Sequence, residues 1–215
     1  MTQDPNLKPH LKVTVFSDYI CPFCYVGDAR LDALRDEFEL EVEWNWFEIH
    51  PDNPEEGKPV SELGYDPARW AQMMENLEIM AKQENLPLAK RTFTTNSHKA
   101  LLLAEAVKSL DSDTFERLHK RLFDAYFRQA RNIGAEDVLR EIAAECEIPS
   151  ELVDQAWTSS ELEHALNAQN VRSAQLGITG VPAYIIGRYI VPGAVPSDIL
   201  RQAARETITE QDKVD

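Results

Sequence analysis

Cysteine is scarce in this chain. Three cysteines in 215 residues are too few to staple a small secreted scaffold with disulfides. Basic residues are also in short supply, 22 Lys and Arg against 37 Asp and Glu, for a formal net charge of −15. Nucleic acid and anionic membrane surfaces both call for a basic face, so neither is expected as a partner. No run of 18 apolar residues exists to cross a membrane. The polar, Pro-containing stretch Met1 to His10 lacks the apolar core and cleavage site of an export signal, so the expected compartment is the cytoplasm. No fixed repeat period is present, which excludes a solenoid. What remains is an ordinary globular composition, long enough for one large domain or a domain with a substantial insertion.

Two of the three cysteines stand in Cys21-Pro22-Phe23-Cys24. Before them, Leu11, Val13 and Val15 alternate as on the buried face of a strand; behind them, Leu31, Leu34 and Phe38 recur at helical spacing. Pro22 suits the first position of a helix, where a missing N–H costs nothing. Cys21 then faces the free N–H groups and positive end of that helix, a field that favours the thiolate, the form that attacks disulfides. Cys24, one turn on, can close a disulfide with it. The competing reading is half of a zinc site. Zinc takes four ligands, and the chain has no second C-x2-C, so catalytic thiols are expected and no metal.

A second strand is predicted through Val42, Trp44 and Trp46, extended by Phe47 and Ile49, then a loop from Pro51 to Pro59. From Asp66 to Gln175 the period turns helical throughout. Asp66 caps a helix with Trp70, Met73, Met74, Leu77 and Met80 on its apolar face. Others follow from Asn96 or Ser97, around Phe115, Leu118, Leu122 and Ala125, and through Val138, Leu139, Ile142 and Cys146. A short helical turn after Pro149 and a final helix through Leu162 and Leu166 end the block. Ala183 to Ile186 and Tyr189 to Val191, joined by Gly187-Arg188, read as a hairpin before a closing helix from Pro196.

Strand–helix–strand, helical block, hairpin–helix, with C-x2-C after the first strand and Val181-Pro182 before the third, resembles a thioredoxin fold interrupted by helices. More narrowly the chain resembles the DsbA family and its FrnE-like branch. The residues that carry the likeness are Ser17 to Gly27, Phe47 to Pro51 with Pro54 to Gly57, and Gly177 to Ala183. The resemblance implies an α/β thioredoxin-like domain from residues 1–65 and 176–215, with an all-α insertion at 66–175. It implies a thiol–disulfide oxidoreductase acting through Cys21 and Cys24 on protein or small-molecule thiols and disulfides. Pro22 and Phe23 would tune the pair, and Val181 with a cis Pro182 would align substrate. No cofactor is implied beyond the redox pair, with glutathione a possible co-substrate. The branch commonly has Trp at Phe23, and the basic pair it usually carries after Asn96-Ser97 is missing here.

Two other classes remain open. Kappa-class glutathione transferases and 2-hydroxychromene-2-carboxylate isomerases share this interrupted architecture, but typically carry Ser where this chain has Cys21. A zinc-bridged or chaperone-like binding protein could use the same fold. Cys146, in register with its helix, reads as a small buried residue. His50, His98 and His119, without a second ligand at helical spacing, read as ordinary surface or core residues. Asp18 has two readings: a carboxylate opposing the Cys21 thiolate, or a buried turn residue satisfying backbone N–H groups.

Overall fold

The computed structural model describes residues 8–211; the polar start of the chain, residues 1–7, lies outside them. Strand β1 (His10–Ser17) leads into α1 (Pro22–Asp32), a 3-10 turn and β2 (Glu39–Trp46). Six helices follow: α2 (Pro67–Gln83), α3 (His98–Lys108), α4 (Ser112–Phe123), α5 (Glu136–Glu145), α6 (Ser150–Thr158) and α7 (Ser160–Gln175). Two two-residue strands, β3 (Lys58–Pro59) and β4 (Phe93–Thr94), pair with each other on either side of α2. The chain closes with β5 (Ala183–Ile186), β6 (Tyr189–Pro192) and α8 (Ser197–Gln211).

The main sheet has the order β2-β1-β5-β6, with β1 parallel to β2 and antiparallel to β5. As an inner strand β1 is buried on both faces, not one. Leu11, Val13 and Val15 pack with Leu31, Leu34, Leu200 and Ala204 against α1 and α8. Phe16, on the other side, meets Ile178 and Ala183. The largest apolar cluster joins Tyr19, Ile20, Cys21, Cys24, Tyr25 and Trp46 to residues of α3 to α7. Helices α3 to α7 therefore share one core with the C-x2-C segment.

Several predicted elements differ in extent. The stripe Leu31, Leu34, Phe38 is buried as expected, but α1 ends at Asp32 and the 3-10 turn Ala33–Asp36 carries the chain on. Strand β2 stops at Trp46; Phe47 gives its N–H to Ser17, and Ile49 leaves the sheet because its N–H goes to Asp18. The loop from Pro51 to Pro59 ends in β3, and its partner β4 breaks the predicted helical run. Arg91 supports that break by stacking on Tyr126 and bonding the Phe93 carbonyl. The turn after Pro149 is the nine-residue helix α6. Ala125 falls in a π turn, Asp124–Arg128, after α4. On α2 only Leu77 and Ala81 are fully buried, leaving Trp70, Met73, Met74 and Met80 half-exposed.

A candidate dithiol site at the entry to α1

The site begins where β1 ends. Ser17 is followed by a tight turn, closed by the Cys21 N–H on the Asp18 carbonyl at 3.1 Å. Cys21 is the N-cap of α1, in extended backbone, with Pro22 just inside and no side-chain cap bond. The N–H groups of Cys24 and Tyr25 both reach the Cys21 carbonyl, at 3.0 and 3.3 Å. Cys21 thus stands at the helix entry, its carbonyl closing the first turn and its thiol free of any capping bond.

Register delivers the other half. Phe16 pairs with Ala183, so the loop before β5 lies beside the loop after β1, although 160 residues separate Cys21 from Val181. The Cys21 thiol donates to the Val181 carbonyl at 3.5 Å. The Val181–Pro182 peptide is cis, and the Pro182 carbonyl accepts from the Gly193 N–H at 2.7 Å, tying the loop to the end of β6. All three cysteines are free thiols.

Both motif thiols are buried, Cys21 at 4% and Cys24 at 2% exposure. Burial pushes the Cys24 thiol well above its ordinary value, and a hydrogen bond with Cys21 adds to the effect. Cys24 sits one turn inside α1, where a negative charge is poorly solvated. Phe23, between them, packs with Val26, Leu77, Leu86 and Leu88 and so links the motif to α2.

Asp18 is the buried turn residue. Its carboxylate accepts from the N–H groups of Ile20, at 3.2 Å, and Ile49, at 2.8 Å, fastening the C-x2-C turn to the exit of β2. Burial outweighs these bonds and raises its carboxyl to about 6. Cys146 caps the end of α5 and is buried, as read from its register.

His119, read from the sequence as an ordinary surface or core residue, lies in the core. It is 2% exposed and comes from α4. One ring nitrogen meets the Tyr19 hydroxyl at 3.0 Å and the other meets Asp28 at 3.1 Å. Tyr19 precedes the motif and Asp28 follows it on α1, so one imidazole braces both ends of the C-x2-C segment. Trp44 covers the ring at 4.1 Å. Its partners are 100 and 91 residues away in sequence, and no local pattern signals them. His98 bridges Glu48 and Glu163, and these two carboxylates raise it to about 9. His50 lies near Tyr65 in the loop after β2.

A cavity of about 410 Å³ opens behind α1, lined by Asp28, Trp44, Phe115 and His119 among others, and a cleft of about 570 Å³ lies beside His98. Neither is lined by Cys21, Cys24 or Pro182. Among the described residues no group of three or more His, Cys, Asp or Glu side chains converges as a metal site, and no helix is long and apolar enough to cross a membrane.

A DsbA-like thioredoxin domain model matches residues 12–205 of this chain. The chain belongs to the DsbA-like thioredoxin family. An uncharacterised protein of Bacillus subtilis, YwbO, is 28% identical over 200 residues, spanning 90% of this chain and 94% of that protein. Among solved structures, a probable DsbA oxidoreductase from Streptomyces coelicolor superposes with a TM-score of 0.83 at 26% identity, covering 94% of this chain and 91% of its own. A 2-hydroxychromene-2-carboxylate isomerase reaches a TM-score of 0.74 at 14% identity, covering 95% of this chain and 100% of its own. That last likeness is one of fold alone. A DsbA-like backbone carries more than one chemistry, so function has to be argued from the thiols.

Proposed function

We propose that this protein is a thiol–disulfide oxidoreductase in which Cys21 exchanges with substrate and Cys24 resolves the mixed disulfide. The observation that carries this reading is the asymmetry of the pair. Cys21 caps α1 and touches Val181 beside Pro182, while Cys24 lies a turn deeper with its thiol pushed up by burial. Once Cys21 is in a disulfide its S–H is gone, and the Val181 carbonyl is free to accept from an extended substrate backbone, as in strand addition. Phe23 and Pro22 tune the motif from within the first turn. Substrates are protein or small-molecule disulfides and thiols, with glutathione as a co-substrate, in the cytoplasm. The direction of exchange follows from the potential of the pair against that compartment.

The isomerase reading loses its main support in the retained thiols, since a glutathione-holding hydroxyl would stand at Cys21. The test is reduction of insulin, or of oxidised glutathione, by the full chain. Cys21→Ser abolishes exchange, and Cys24→Ser accumulates a mixed disulfide on Cys21. Trapping by Cys21→Ser would reverse the two roles. Exchange that survives loss of both thiols would overturn the reading.

A further inference from the structure

Tyr184 lies in β5 opposite Val15 of β1 and is 1% exposed. Its ring packs in the apolar layer between the sheet and α1. Its hydroxyl, however, has no hydrogen-bond partner among the described residues. A buried hydroxyl left unbonded is destabilising, and phenylalanine would fill the same space without that penalty. The oxygen's surroundings indicate its use.

The hydroxyl rests against α1 where Gly27 has no side chain. A Cβ at Gly27 would collide with the Tyr184 oxygen and come within 3.0 Å of the Pro182 ring. Gly27 follows Cys24 by three residues, so the two are neighbours on one helix face. The hydroxyl thus lies against the turn of α1 that follows Cys24, beside the Pro182 ring. Burial, then the charges of Cys24, Asp28 and Cys21, push its own ionisation well up. It therefore stays protonated and remains a donor.

We propose that the Tyr184 hydroxyl is a hydrogen-bond donor to the Cys24 sulfur as it ionises in the resolving step. The inference rests on the oxidoreductase reading. In the dithiol the Cys24 thiol is engaged with Cys21, and the Asp18 N–H and Ser17 hydroxyl also favour its ionised form. In the mixed disulfide Cys21 carries the substrate sulfur. Cys24 gives up its proton and attacks the Cys21 sulfur; the Cys21–Cys24 bond forms as the Cys21–substrate bond breaks. The substrate sulfur leaves with the bonding electron pair and takes up a proton, so proton balance is kept. Over the cycle the enzyme dithiol loses two electrons and the substrate disulfide gains them. In the reverse direction Cys24 is the leaving thiolate, and the same donor stabilises it.

The experiment is Tyr184→Phe in the full chain, which removes one unbonded oxygen and leaves the ring. Cys21 is loaded with glutathione as a mixed disulfide, and release of the thiol is followed from pH 6 to 9, alongside thermal unfolding. The variant is expected to melt no lower than the parent and to load Cys21 at the parental rate. It should resolve roughly tenfold more slowly or worse, as for loss of a hydrogen bond to a charged group, with its pH profile displaced upward. Unchanged resolution with equal or higher stability would make the hydroxyl a spectator. Unchanged resolution with a lower melting temperature would make its role purely structural. Either result overturns the inference and leaves the oxidoreductase reading standing. A parent chain that cannot be loaded at Cys21 overturns both.

Discussion

Gly27→Ala sets two known tendencies against each other. In an exposed helix interior the change stabilises by ~1 kcal/mol, because alanine loses less backbone freedom than glycine. Gly27 is buried, and its added methyl would overlap the Tyr184 hydroxyl and crowd the Pro182 ring at 3.0 and 3.4 Å. Neither neighbour yields easily: the tyrosine oxygen ends a rigid ring packed in a central strand, and Pro182 is tied through its carbonyl to Gly193. Overpacking of this kind costs about 1–3 kcal/mol. The expected net result is a loss of up to about 2 kcal/mol, or a fall in Tm of up to roughly 8 °C for a chain of this size. Thermal unfolding of the reduced protein measures it. Combining Gly27→Ala with Tyr184→Phe removes the oxygen clash, so the pair should fall short of additivity by at least ~0.5 kcal/mol. A Gly27→Ala variant that gains stability would refute the packing argument, showing that α1 has room above β5.

Asp18 gives stability a pH dependence. A carboxyl raised from its ordinary 3.8 to about 6 in the fold binds its proton more tightly folded than unfolded. Its contribution is therefore full below pH 4 and lost as pH rises to about 6, by on the order of 3 kcal/mol. Urea unfolding of the parent and Asp18→Asn across that window should show the variant gaining relative to the parent as pH rises; a constant difference would refute it. Arg30, 2% exposed, bonds Glu84, Gln83 and the Ala194 carbonyl and so clamps α2 and the end of the hairpin onto α1. Arg30→Met leaves these groups facing an apolar stem and should cost ~3–5 kcal/mol in the same assay. Arg30→Lys should recover only part, because a point charge cannot meet three partners in a plane; a loss under ~1 kcal/mol would show the clamp to be dispensable.

Local signals determined the strand–helix handover, the place of Pro22 at the start of α1, the Asp66 cap and the hairpin around Gly187-Arg188. Each depends on residues within one or two turns of chain, so alternation, helical period and capping chemistry are enough to reveal it. The C-x2-C motif was legible for the same reason. Where long-range bonds compete with the local period, the sequence pattern fails. Phe38 continues the stripe of Leu31 and Leu34 after the helix has stopped; Ile49 continues the alternation of β2 after its N–H has gone to Asp18. Strand β4 could not be read because two residues carry no period, and only β3, beyond α2, gives them a partner.

The site itself divides along that line. The sequence alone puts two thiols at a helix entry and shows that one leads the other by a turn. The family resemblance already implied Val181 beside the pair, but only the tertiary structure decides the rest of what surrounds them: His119 between Tyr19 and Asp28, and the Tyr184 hydroxyl in the space left by Gly27. It also resolves the two readings of Asp18 in favour of the buried turn residue, because the Ile20 and Ile49 N–H groups that donate to its carboxylate converge only when β2 lies alongside β1. These contacts depend on strand register and on a helical block packing back over the sheet, and no spacing along the chain encodes either. Chemistry-bearing residue types are a property of the sequence; their partners, burial and resulting acidity are properties of the fold.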